Sequence, residues 1–328
     1  MPQWRGDPAG WAKTGAVAGG RGPSLLCLGE AMVEFNRPED GPAWRQGFGG
    51  DTSNTAIAAA RLGVSAGYVS RIGGDLFGRM LLDLWQAEGV DTTTVQVDPV
   101  APTGLYFVTH GAEGHSFEYR RAGSAASRMT AERVPIAALR ATRVLHLSAI
   151  SQAISETACE ASFAAIEAAR AAGVTISYDT NLRLKLWTLE RAASVIDATL
   201  RLCDIVLPGL DDARTLLRID DPDAICDRLL KRGAKVVALT MGAEGVLVAT
   251  PDARARIAPH RVEAVDATGA GDAFDGAFIA EWLATGDAVA SARFANAAAA
   301  LSVQGYGAVA PLPRRDAVEA LLRTAEGS

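Results

Sequence analysis

Short apolar runs alternate with helix-length segments along most of this chain, and that alternation constrains the fold more than any other feature. Residues 25–29, 144–148, 174–178, 204–207 and 235–239 read as buried strands, while 156–172, 190–202, 223–232, 272–284 and 287–303 read as helices. Strands that are apolar on both faces must be covered by helices on both sides. The pattern therefore predicts an α/β layered fold with a largely parallel central sheet. Ligands then belong at the carboxyl ends of the strands, where the loops beginning at Gly29, Ser148, Asp179, Pro208 and Thr240 would converge. Two segments, 32–48 and 104–121, break the rhythm. In the second, 105–109 and 116–121 flank Gly111-Ala112-Glu113-Gly114 and read as an antiparallel hairpin.

The 328 residues are 49% hydrophobic and 21% charged, enough to bury a full α/β core, and one main domain is expected over 24–328. Residues 1–23 are rich in Gly and Ala and lack the continuous apolar core of a signal peptide, so they read as a disordered extension. A net charge of -6 without a dense Lys/Arg stripe argues against nucleic acid as a partner. No apolar run reaches the length of about eighteen residues that a membrane span needs. Cys27, Cys159, Cys203 and Cys226 are widely spread, without metal-ligand spacing, and read as reduced, mostly buried thiols of a cytoplasmic protein.

Chemistry is concentrated in two glycine-rich turns. The first, Val265-Asp266-Ala267-Thr268-Gly269-Ala270-Gly271-Asp272, leads straight into an Ala-rich helix. Gly269 and Gly271 let backbone amides approach a ligand. The helix start adds unpaired donors and the positive end of its dipole, which together suit an anion. Asp272, in the first turn, would stand beside a reacting phosphate as a candidate base. The second, Gly47-Phe48-Gly49-Gly50-Asp51-Thr52-Ser53-Asn54, precedes another helix and offers more hydrogen-bonding groups than one cap requires. That surplus suits a polyhydroxylated ligand, although each turn taken alone also reads as an ordinary capped helix.

Together these residues resemble the ribokinase-like sugar kinases, the phosphofructokinase B family. The N-terminal signature is Gly49-Gly50-Asp51-x-x-Asn54 running on to Arg71-Ile72-Gly73-Gly74-Asp75-x-Phe77-Gly78, and the C-terminal one is Asp266-x-Thr268-Gly269-Ala270-Gly271-Asp272. The resemblance extends from about Leu25 to Pro313. Ala267 departs from it, since the family more often has Thr or another small polar residue there. The resemblance implies a three-layer ribokinase-like fold in which segments 32–48 and 104–121 form a small β lid over the sugar, often also the contact of a homo-oligomer. It implies ATP and Mg2+ as cofactors, Asp272 as base, and the amides of Gly269, Ala270 and Gly271 as the anion hole.

Substrate class is legible in the hairpin. In a strand, residues two apart share a face, so Tyr119 and Arg121 point one way and Arg120 the other. A neutral sugar gives little reason to bury an arginine, whereas a carboxylate pairs with it bidentately. Arg183, in Asp179-Thr180-Asn181-Leu182-Arg183-Leu184-Lys185-Leu186-Trp187, arrives just past a predicted strand. These segments, with Gly29-Glu30-Ala31-Met32-Val33-Glu34-Phe35, Thr103-Gly104-Leu105-Tyr106 and Tyr119-x-Arg121-Ala122-Gly123-Ser124-Ala125-Ala126, resemble the 2-keto-3-deoxygluconate kinases. That subfamily implies that Arg121 and Arg183 hold the sugar-acid carboxylate, Tyr106 and Tyr119 line the sugar site, and Gly50, Asp51 and Asn54 meet the hydroxyls. On the nucleotide side, Thr240, Gly242 and Gly245 of Leu239-Thr240-Met241-Gly242-Ala243-Glu244-Gly245 resemble the family's ATP-contacting loop, and Asn296 a residue near the adenine. Asp212, within Gly209-Leu210-Asp211-Asp212, occupies the place of a family acid that organises magnesium through water, but Gly209 brings no side chain of its own. A fructose or ribose kinase on the same scaffold, and a sensor that has lost catalysis, are the alternatives.

Overall fold

The computed structural model describes residues 22–37, 41–111 and 114–326. The reading of 1–23 as a disordered extension falls, but for its last two residues, outside the described residues, as does Ala112-Glu113 at the hairpin tip. The chain opens with β1 (Leu25–Leu28), β2 (Met32–Arg37) and β3 (Arg45–Gly49), then α1 (Asp51–Arg61), β4 (Ala66–Gly73), α2 (Leu76–Ala87) and β5 (Val95–Asp98). The hairpin β6 (Gly104–Gly111) and β7 (Gly114–Arg120) follows. Next come α3 (Ile136–Ala141), β8 (Val144–Ser148), α4 (Ala149–Ala153), α5 (Glu156–Arg170), β9 (Thr175–Asp179), α6 (Leu189–Leu200) and β10 (Ile205–Val206). The chain ends with α7 (Leu210–Leu217), α8 (Pro222–Leu230), β11 (Val236–Thr240), β12 (Val246–Ala249), β13 (Arg254–Ile257), α9 (Ala270–Thr285), α10 (Ala288–Ser302) and α11 (Arg315–Glu326).

A nine-stranded sheet runs β13-β12-β11-β10-β9-β8-β1-β4-β5, parallel except at β12 and β13. Its strands are buried on both faces, as their apolar runs require. In β1, Leu26 and Leu28 pack with α5, α6 and α8, whereas Leu25 and Cys27 pack with α1, α2 and α9. Farther along the sheet, Ile205, Val236 and Val248 pack against Phe274 and Phe278 of α9 and the alanines of α10. This is the three-layer α/β arrangement expected, and the five helices read from the sequence, α5, α6, α8, α9 and α10, each lie within about two residues of their expected bounds, whereas α2, α3, α4, α7 and α11 had no such reading. Missing from that reading were β4 and β5, whose flanking glycines and polar residues break the apolar run, and the antiparallel pair β12–β13, where exposed arginines alternate with half-buried residues.

The rhythm-breaking segments form a second, four-stranded sheet, β3-β2-β6-β7, in which β2 pairs parallel with β6 and the outer pairs are antiparallel. Register and pleat put Met32, Glu34, Tyr106, Tyr119 and Arg121 on one face. On the other, Phe35 stacks on Phe107 and meets Phe77 of α2 edge-on. Among the described residues no helix is long and apolar enough to cross a membrane, and all four cysteines are free and buried.

Candidate active site

The two glycine-rich turns meet because two helices cross unusually closely. A Cβ on Gly276 of α9 would stand 2.6 Å from both the Ala58 Cβ and the Thr55 carbonyl oxygen of α1, so only glycine permits the approach. The crossing carries Asn54 to Asp272: the Asn54 side-chain amide donates to the Asp272 carboxylate at 2.7 Å, and the Thr55 hydroxyl donates to the Asp272 carbonyl oxygen at 3.4 Å. The Asn54 carbonyl oxygen is buried and makes no bond within the protein, leaving an acceptor for a ligand hydroxyl. Gly50, at φ 128, turns the chain into α1 where a side chain would strike the Glu30 carbonyl oxygen at 2.5 Å.

Asp272 occupies the first turn of α9, after Gly269 in a left-handed conformation at φ 77. The Ala270 amide already donates to the Ala267 carbonyl at 3.2 Å, so the anion hole expected from Gly269, Ala270 and Gly271 loses one donor. The amides of Gly271 and Asp272 stay without an intrahelical acceptor by their position, and beyond Gly271 a Cβ would meet open space. Burial, then the negative charge of Asp51, pushes the Asp272 carboxyl up to about 7, against the Asn54 hydrogen bond and the Arg183 cation, which pull it down. A carboxyl poised near neutrality suits proton acceptance.

Asp51 is held by three donors: the Ser148 hydroxyl at the end of β8, the Asn181 side-chain amide at 2.9 Å and the Thr52 amide at 2.8 Å. Asp179 and Asp275, to which sequence reasoning assigned no role, complete a buried acidic group with Asp51 and Asp272. Burial above all, then the other aspartates, pushes both carboxyls well above the usual range. His146 lies 3.8 Å from Asp275 and bonds the Ser177 hydroxyl at 3.0 Å, and burial pushes it down to about 3, toward the neutral imidazole. A sequence signal existed for Asp275, which follows Asp272 by one helical turn.

On the lid, the Tyr106 hydroxyl donates to the Glu34 carboxylate, and Tyr119 stacks on Tyr106 with centroids 5.9 Å apart. Burial and the adjacent Glu34 charge push the Tyr106 phenol far up, so it stays a donor. Arg121 shares their face as expected, while Arg120 points outward to Glu118. The premise that a carboxylate ligand is needed to explain a buried Arg121 is corrected by the structure: Glu30, fully buried, lies 2.6 Å from its guanidinium. Arg183 stands at the rim, 53% exposed and 4.0 Å from Asp212.

Beyond Asp272, a cavity of about 430 Å3 is lined by Gly209, Asp212, Thr240, Met241 and Gly242, among others. Thr240 and Gly242 therefore meet there, and Asp212, which accepts from the Leu182 amide at 2.8 Å, faces the same space. Gly245 does not line it: it sits inside the β11–β12 hairpin, where a Cβ would overlap the Ile257 carbonyl oxygen at 2.1 Å. Nor does Asn296, whose amide ties α10 to the Ala258 carbonyl at 2.8 Å. Among the described residues no group of three or more His, Cys, Asp or Glu could cage a metal ion. The carboxyl-bearing residues that line the cavity, Asp211, Asp212 and Glu244, suit an ion brought in by nucleotide phosphates rather than one caged by the protein.

Comparison with known proteins agrees with this geometry. Residues 23–315 match the family model of the pfkB family carbohydrate kinases. The chain belongs to that family. The kinase is 32% identical to the 2-dehydro-3-deoxygluconokinase of Thermoproteus tenax, over 92% of this chain and 94% of that one. It is 33% identical to fructokinase-1 of Oryza sativa subsp. japonica, over 93% and 99%. A crystal structure of fructokinase with bound ATP from Xylella fastidiosa superposes with a TM-score of 0.85 at 28% identity, covering 92% of this chain and 98% of that one. The kinase is thus an ATP-dependent carbohydrate phosphotransferase, similar both to fructokinases and to a sugar-acid kinase.

Proposed function

We propose that the kinase transfers the γ-phosphoryl group of ATP to the primary hydroxyl of a sugar acid, 2-keto-3-deoxygluconate, giving the 6-phosphate. The observation that carries this reading is Asp272 at the open start of α9, gripped by Asn54 and overlooked by the Arg183 cation. Asp272 takes the hydroxyl proton as the oxygen attacks the γ-phosphorus, and the bond from that phosphorus to the bridging oxygen of ADP breaks. Because such transition states are loose, orientation by Asn54 and Asp272 matters more than base strength. The first-turn amides of Gly271 and Asp272 receive charge on the transferring group. Asp212, on the wall of the cavity, would help to hold a magnesium ion carried in on the nucleotide, which would supply charge neutralisation at the phosphate oxygens.

On the sugar side, Gly50, Asp51 and Asn54 meet hydroxyls, Tyr106 and Tyr119 cover the ring, and Arg121 with Arg183 faces the carboxylate. Thr240 and Gly242 contact the nucleotide. The lid is also the proposed contact of a homo-oligomer, and a cytoplasmic location fits the free cysteines. A second reading, a neutral ketose such as fructose, is favoured by one observation: Glu30 already balances the charge of Arg121.

The deciding experiment is ADP release by purified protein with Mg-ATP, comparing 2-keto-3-deoxygluconate, gluconate, fructose and ribose at equal concentration. Selective turnover of the keto-deoxy acid is expected. Turnover of fructose alone transfers the assignment to the neutral-sugar reading, and no turnover of any sugar would favour a catalytically silent sensor.

A further inference from the structure

Glu30 has no place in the mechanism above, yet it is the most thoroughly engaged charge near the sugar site. Its side chain is 0% exposed, and one oxygen lies 2.6 Å from Nη2 of Arg121 while accepting from Nε at 2.8 Å. The other oxygen accepts from the Ser124 hydroxyl at 2.5 Å. Arg121 and Ser124 belong to one tight turn at the end of β7, closed by the Ser124 amide bonding the Arg121 carbonyl at 3.0 Å. At the start of β6, Gly104 leaves room for the carboxylate, since a Cβ there would stand 2.8 Å from Glu30 Oε1. One side chain just past β1 of the main sheet thus ties down the turn that follows the lid hairpin and sits against the start of β6.

The consequence for Arg121 is directional. Its Nε and Nη2 edge is spent on Glu30, and the Tyr119 ring lies 5.8 Å from Cζ, so rotation about the end of the side chain is blocked. A planar guanidinium fixed along one edge still offers a ligand its outer end, the two N–H groups of Nη1 and the outward N–H of Nη2, which makes no hydrogen bond within the protein. A free arginine would have to give up several rotamers to do the same.

We propose that Glu30 is a positioning residue for sugar recognition: it clamps the inner edge of Arg121, aims the outer end of the guanidinium at the substrate, and ties the end of the lid hairpin to the end of β1. The proposal rests on the reading of Arg121 as a sugar contact. Its test is steady-state kinetics of wild type, Glu30→Ala and Glu30→Gln with 2-keto-3-deoxygluconate, varying sugar and ATP separately, with thermal unfolding of each protein. Glu30→Ala is expected to raise the sugar KM about tenfold or more, leaving the ATP KM within about twofold. Glu30→Gln keeps an acceptor for Arg121 and a donor for Ser124, and its sugar KM should rise only about threefold. An unchanged sugar KM in both variants overturns the proposal, as does an ATP KM that rises in step with the sugar KM. Should Glu30→Ala fail to fold, Glu30→Gln decides alone, and an unchanged sugar KM refutes the clamp. If wild type does not phosphorylate the acid, the sugar-acid reading fails separately; the same proteins assayed with fructose then decide on Glu30, a raised fructose KM supporting it and an unchanged one refuting it.

Discussion

Replacing Asp272 by Asn should remove turnover and stabilise the fold, two effects that a merely structural aspartate would not combine. Burial and Asp51 push the Asp272 carboxyl from 3.8 to about 7. At about 1.4 kcal/mol per unit, that gap is a ceiling of about 4 kcal/mol set against the folded state once the carboxyl is ionised. Asp272 is only part-buried, so solvent screening reduces this to on the order of 1–2 kcal/mol. The sign follows from the raised value. Below about pH 4 the group is protonated folded or unfolded and costs nothing; between about 4 and 7 only the unfolded chain ionises, and the cost grows; above about 7 it is complete. The amide of the Asp272→Asn variant carries no charge and can still accept from Asn54. Urea unfolding at pH 5 and pH 8 should therefore find the variant's advantage small at the lower pH and full at the higher one, while turnover falls about 100- to 10,000-fold. The wild-type kcat/KM should in turn decline about tenfold per pH unit below about 7. An advantage over wild type no larger at pH 8 than at pH 5, or turnover near that of wild type, would refute the argument.

Arg183→Ala should weaken sugar-acid binding and, because the Arg183 cation holds the Asp272 carboxyl down, move the acid limb of the pH–rate profile to higher pH; an unmoved limb would separate Arg183 from the base. Gly276→Ala forces a Cβ to within 2.6 Å of Ala58 and Thr55, and should cost about 1–3 kcal/mol in urea unfolding and lower kcat by parting Asn54 from Asp272. Wild-type kcat in that variant would show that the helix crossing does not seat the base. Tyr106→Phe strips the hydroxyl from buried Glu34 and should destabilise by about 1–3 kcal/mol while raising the sugar KM; a thermal shift and kinetics of one preparation check both.

What could be read from the sequence was local. Continuous apolar runs located β1, β8, β9 and β11, because strands covered on both faces have no polar side to display. Glycine at helix starts located the turns before α1 and α9. What escaped were pairings across the chain. Asn54 and Asp272 meet across 218 positions, and that meeting depends on Gly276, an ordinary glycine in an Ala-rich helix until its neighbour is known. Arg121 looked unpaired because Glu30, its partner, lies 91 positions earlier and reads only as a residue ending a strand. Gly245 and Asn296 carried family resemblance but serve the hairpin and the α10 packing, since a glycine needed for a left-handed turn and one needed for ligand approach look alike in sequence.

The acidity of the site explains why its base can work at all. An isolated carboxyl in water would be a weak proton acceptor at neutral pH; one in a dry pocket beside Asp51 is stronger. Adding Asp179 and Asp275 as further charges would repel a polyphosphate, but burial above all pushes both carboxyls well up, toward their neutral forms. Asp51 is meanwhile fixed by three donors, and Asp272, raised to about 7, is the proposed base. The start of α9 and Arg183 set positive potential against it. Burial, the first cause for Asp179, Asp275 and Asp272 alike, disfavours their charged forms, and that lowers the repulsion an anionic nucleotide would meet beside the proposed base.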